Sequence, residues 1–119
     1  MNSPVLFDNG ETVIRHSPTA TRTSGTLVIT WTGMFENDPG QPGFAEPLLH
    51  KSGFDAICVQ KRSESWFQDL DLEDFRQAVA PLLGRYDDVV CYGLSMGAFA
   101  ALFYQAVDKV GRPDIRHIM

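Results

Sequence analysis

Three short apolar runs recur along the chain with enough residues between them for a crossover helix. They are TLVITW (26–31), DAICVQ (55–60) and DVVCYG (88–93). Runs without polar alternation suit strands buried on both faces. Strands alternating with helices feed right-handed crossovers into a parallel sheet. The helices predicted between them cover 44–51, 72–86 and 96–110, and PDIRHIM (113–119) reads as a further strand beginning. Ahead of all this, VLF and TVIRH flank Asp8-Asn9-Gly10, a hairpin-turn signal. The expected fold class is therefore α/β: a three-layer α/β/α arrangement with a mostly parallel sheet after an N-terminal β-hairpin.

The helix over 72–86 is the clearest. Leu72, Phe75, Val79, Leu82, Leu83 and Tyr86 recur at spacings of three and four, which puts them on one face. Asp71 suits the N-cap, Glu73 and Asp74 complement the helix dipole, and Gly84 suits the exit. Pro81 lies inside and predicts a kink or an early stop. The segment 96–110, with MGAFAALFYQAV, is apolar almost all round, as in a helix buried against a sheet.

Composition narrows the function classes. A chain of 119 residues fits one domain, and a formal charge of −5 argues against a nucleic-acid partner. No apolar stretch approaches the roughly 18 residues that span a bilayer, so no membrane partner is expected. Cys58 and Cys91 lie in apolar runs without a CxxC pair, as reduced thiols of a cytoplasmic protein would. No metal or cofactor motif is present. As a calcium loop, the acidic run 69–74 fails, with Asp74 where glycine is needed and Ala80 where glutamate is needed.

Chemistry concentrates at Gly93-Leu94-Ser95-Met96-Gly97, a G-x-S-x-G pattern that follows a strand-like run and opens a helix-like one. A serine on so sharp a turn projects its hydroxyl from the sheet end, and the next N–H sits at a helix start where it can hold an oxyanion. Gly93 and Gly97 let strand and helix approach the turn. A dinucleotide loop would want glycine at Ser95, and a phosphate-binding loop would end in a lysine that this segment lacks. TLVITWTGM, DAICVQKR and DVVCYGLSMGAFAAL, with the hairpin before them, resemble the N-terminal half of the α/β-hydrolase superfamily. That resemblance implies Ser95 as nucleophile and Met96 as one oxyanion donor. It places a second donor in Thr32-Gly33-Met34, with Gly33 or Met34 favoured. KRSESWFQ (61–68) follows a strand end on the same side, where Trp66 is a possible pocket residue.

The same resemblance implies an acid and a histidine after later strands. Only 24 residues follow Ser95, so domain 1–119 reads as C-terminally incomplete. The three histidines offer no substitute. His16 and His50 are expected at the opposite end of the sheet, and His117 lies below the strand end. The expected function is a serine esterase or thioesterase taking a small acyl substrate through an acyl-enzyme on Ser95, idle in this chain for want of its partners. The alternative is a non-catalytic fragment that keeps the turn for packing. Self-association through an unpaired sheet edge is expected with either reading.

Overall fold

A computed structural model of the chain describes residues 4–33, 37–65, 67, 69–93 and the strand backbone of 116–118. The elements run β1 (Val5–Asp8), β2 (Thr12–Ser17), β3 (Thr26–Trp31), α1 (Glu46–Lys51), β4 (Asp55–Lys61), α2 (Leu72–Leu83), β5 (Asp88–Gly93) and β6 (Arg116–Ile118). Six strands form one sheet in the order β1-β2-β4-β3-β5-β6. The β1–β2 and β2–β4 pairings are antiparallel; β4–β3, β3–β5 and β5–β6 are parallel.

This corrects the expected fold class. The sheet is mixed, not mostly parallel, because the hairpin joins it through β2 beside β4 and adds two antiparallel pairings. Nor do the described residues build a three-layer α/β/α stack. They are strand-rich, with only two helices, of 6 and 12 residues. The apolar segment 96–110, which was to supply the third helix, lies outside the described residues.

Local chemistry explains the elements. In the first turn, Asp8 Oδ1 accepts from Gly10 N–H, and Asn9 Oδ1 accepts from the N–H groups of Glu11 and Thr12. Gly10 takes φ +92°, which glycine adopts without a steric penalty. Asp71 caps α2 by accepting from Glu73 N–H, and Gly84 closes the helix. The helix runs two residues past Pro81, so the proline falls in the final turn and the helix stops soon after it, at Leu83.

On the α2 face, Ile14, Leu27, Ile29, Trp31, Ile57, Val59, Val89 and Cys91 meet Phe75, Val79, Leu82 and Leu83 in one core. Trp31 lies at its centre, edge-on to Phe67 at 5.5 Å and tilted against Phe75 at 5.1 Å. Phe67 reaches it by adopting φ 59°, a left-handed conformation costing about 1–2 kcal/mol. Burying its whole ring, worth roughly 2–3 kcal/mol, offsets that cost.

Candidate active site at the strand ends

In the parallel part of the sheet, Trp31 is in register with Gly93 and with Val59. The chain therefore leaves β3 and β5 side by side and at one level, the place where open α/β sheets hold ligands. Beyond Trp31 come Thr32 and Gly33, both buried. Thr32 N–H continues the ladder by donating to the Val59 carbonyl at 3.2 Å. The Thr32 hydroxyl is buried with no partner among the described residues.

β4 ends here too, on Lys61. Its side chain is fully buried, and the ammonium donates to the Gly33 carbonyl at 2.8 Å and to Asn37 Oδ1 at 2.5 Å. Glu64 lies 3.8 Å from the ammonium, and its Oε1 also accepts from Asn37 Nδ2 at 2.9 Å. The β1–β2 turn buttresses this segment. Arg62 forms a two-pronged ion pair with Asp8, while Glu11 Oε2 accepts from Ser63 N–H and from the Ser63 and Ser65 hydroxyls. Burial pulls the Glu11 carboxyl up, but these hydrogen bonds outweigh it and leave it below its ordinary value. The Arg62 hydrogen bond, with help from Gly10 N–H, holds Asp8 down to about 2.

Of the residues singled out from sequence, Gly33 and Gly93 thus stand on neighbouring strand ends. Ser95, Met96, Gly97, Met34 and Trp66 lie outside the described residues. The sequence reading missed Lys61, since a lysine closing an apolar run looks like the chain emerging into water. Alternation was the available signal, because Ile57, Val59 and Lys61 share the α2 face.

A second cluster sits on the α1 face at the other end of β4. Arg15 and Ser17 of β2 meet Glu46 and His50 of α1 beside an open cavity of about 570 Å³. Serine, histidine and glutamate invite comparison with a nucleophilic triad, but the protons run the wrong way. The Ser17 hydroxyl donates to Glu46. His50 Nε2, 2.9 Å from the Ser17 carbonyl, must carry a proton to bond it and so cannot take one from the hydroxyl. Although burial raises the Glu46 carboxyl, hydrogen bonds from Arg15, Ser17 and Gly43 N–H bring it to about 2, too weak a base to activate serine. The cluster pins α1 to the sheet. Near β4's start, His16 contacts the Tyr86 hydroxyl at 3.0 Å, which donates to Asp55 at 2.8 Å. Register places His16 opposite Ile57 and His117 beside Cys91, neither level with Gly93.

Among the described residues, no cluster of three His, Cys, Asp or Glu side chains is placed to hold a metal, and no helix is long and apolar enough to cross a membrane.

No protein-family model and no curated protein matches the sequence. The structure is similar to that of the capsule O-acetyltransferase of Neisseria meningitidis serogroup A, with a TM-score of 0.63 at 14% identity over 98% of this chain. The same enzyme in complex with caged gadolinium gives 0.61 at 15% over 97%. In both cases the chain spans 50% of the neighbour's length. Identities this low speak for the fold alone. The resemblance to α/β-hydrolases read from the sequence is corrected accordingly. Nothing in these comparisons supports that family or a hydrolase assignment, and the likeness runs to an acetyltransferase.

Proposed function

We propose that the chain contributes to acyl-group transfer, with Ser95 as the residue that carries the acyl group. The observation behind this reading is the register of Trp31 with Gly93, which starts the Thr32–Gly33 segment beside the strand that leads to Ser95 two residues later. A serine there would attack the carbonyl of an ester or thioester and expel the alcohol or thiol. N–H groups from the segment after β3 and from Met96 would hold the oxyanion. Transfer to an acceptor hydroxyl then frees the serine. The fold shared with an O-acetyltransferase favours acyl chemistry over other uses of a serine at a sheet end. No histidine among the described residues reaches this end, so the proposal assigns the serine's base to a group outside them.

The test is covalent labelling. Incubating the intact protein with a fluorophosphonate, followed by peptide mass spectrometry, should place the adduct on Ser95. Ser95→Ala should abolish it without lowering the melting temperature. An adduct elsewhere, or none, returns Ser95 to the role of a small residue at a tight corner.

A further inference from the structure

Arg15 has more hydrogen-bonding capacity than the fold uses. Its Nε donates to Gln60 Oε1 at 2.8 Å and its Nη2 to Glu46 Oε1 at 3.0 Å, so both partners lie along one side edge of the guanidinium. Those two bonds tie β2 to β4 and to α1. The end-on edge, Nη1 with the second hydrogen of Nη2, meets no partner among the described residues. A surface arginine would spend that edge on bulk water. This side chain is only 14% exposed and forms part of the wall of the open cavity of about 570 Å³.

The plane of the guanidinium is fixed in advance. Gln60, itself buried, donates from Nε2 to the Gln41 carbonyl at 2.9 Å, which turns its Oε1 towards Arg15. Glu46 is held in turn by Gly43 N–H and the Ser17 hydroxyl. An arginine held along one edge and open at the other is pre-organised for a planar acceptor with two oxygens. Pro18, Pro42 and Pro47 bring apolar rings to the same cavity, whose volume is that of a small-molecule site.

We infer that this cavity binds a small organic monocarboxylate, whose two oxygens take the end-on edge of Arg15 while its apolar body lies against the prolines. A single charge is favoured over two, because Glu46 stays ionised beside the guanidinium and would repel a dianion such as a phosphate monoester. The same carboxylate cancels the arginine's charge at a distance, so the fork geometry supplies the selectivity. The site shares no residue with the strand ends that lead to Ser95. It stands whether or not that serine carries an acyl group.

Nitrogen–proton correlation spectra of the full chain test this with benzoate as the probe. Saturable shifts are expected in the millimolar range at Arg15 Nε–H and at the Gly40 and Gln41 amides. Benzamide, which lacks the second acceptor oxygen, and phenyl phosphate, a dianion, should each bind at least about tenfold more weakly. Arg15→Lys keeps the charge but loses the fork, and should weaken benzoate binding by about tenfold. If that variant does not fold, Ala20→Trp decides the matter. It adds a ring to the cavity wall from an exposed position, leaves the bonds of Arg15 in place and should abolish the shifts. Benzoate that produces no saturable shift overturns the inference. Benzamide or phenyl phosphate binding as tightly as benzoate overturns the monocarboxylate assignment, and benzoate binding unchanged in a folded variant overturns the site.

Discussion

At Glu46, a carboxylate that burial alone would neutralise stays charged because Arg15, Ser17 and Gly43 N–H all donate to it. Its value near 2 lies below the ordinary 4.5, so its contribution to stability is complete above about pH 4.5 and drains away as pH falls towards 2. Glu46→Gln should therefore flatten the acid limb of an unfolding curve over that window while lowering stability at pH 7. Acid titration followed by circular dichroism checks both. The neighbouring glycine is equally constrained. A Cβ at Gly43 would meet Cys58 Sγ at 2.6 Å and Cys58 Cβ at 2.7 Å, so Gly43→Ala should cost about 1–3 kcal/mol in denaturant melts. Neither residue drew notice in the sequence, since hydrogen bonds between α1 and β2 join positions about 30 apart and leave no local pattern. Burial pushes the Cys58 thiol up to about 12, with the Glu46 charge adding to it, so this cysteine stays protonated and unreactive at neutral pH.

Among the elements, α2 was the most legible, because one helix carries its cap, its dipole charges and its apolar stripe within a few residues. Asp71 does cap it, and Phe75, Val79, Leu82 and Leu83 are buried. Asp71→Ala should lower stability by about 1 kcal/mol, and Phe75→Ala, which empties a site against Trp31, by about 3–5 kcal/mol in urea melts. Strands β3 and β5 match their apolar runs residue for residue. The first helix starts at Glu46, two residues later than the span 44–51 expected from the sequence, because Ala45 takes a left-handed φ of 60° and Pro47 fixes the opening turn. For β4, the sequence showed the strand but not the lysine at its end. Hydropathy reads Lys61 as an exit to solvent, whereas the structure buries it fully on the face it shares with Ile57 and Val59.

In the molecule as a whole, strand order was the least legible property. Turn chemistry announces that β1 and β2 form a hairpin, but not which strand the hairpin joins. Pairing with β4 is antiparallel and long-range, and it turns an expected parallel sheet into a mixed one. The site divides in the same way. Gly33 and Gly93 could be placed from strand ends and a motif, whereas the Lys61 hydrogen bond to the Gly33 carbonyl needed three-dimensional contact. At the far edge, β6 pairs with β5, and its outer side has no partner strand among the described residues. We propose that the chain self-associates through this edge as concentration rises. Sedimentation velocity that finds a monomer at every concentration would contradict this. The central claim is that the ends of β3 and β5 build an acyl-transfer centre around Ser95, and one measurement addresses it directly. Intact-mass and peptide analysis of the full protein after exposure to an activated acetyl ester should find one acetyl group on Ser95, lost in Ser95→Ala. Acetylation confined to lysines, or indifferent to that substitution, would contradict it.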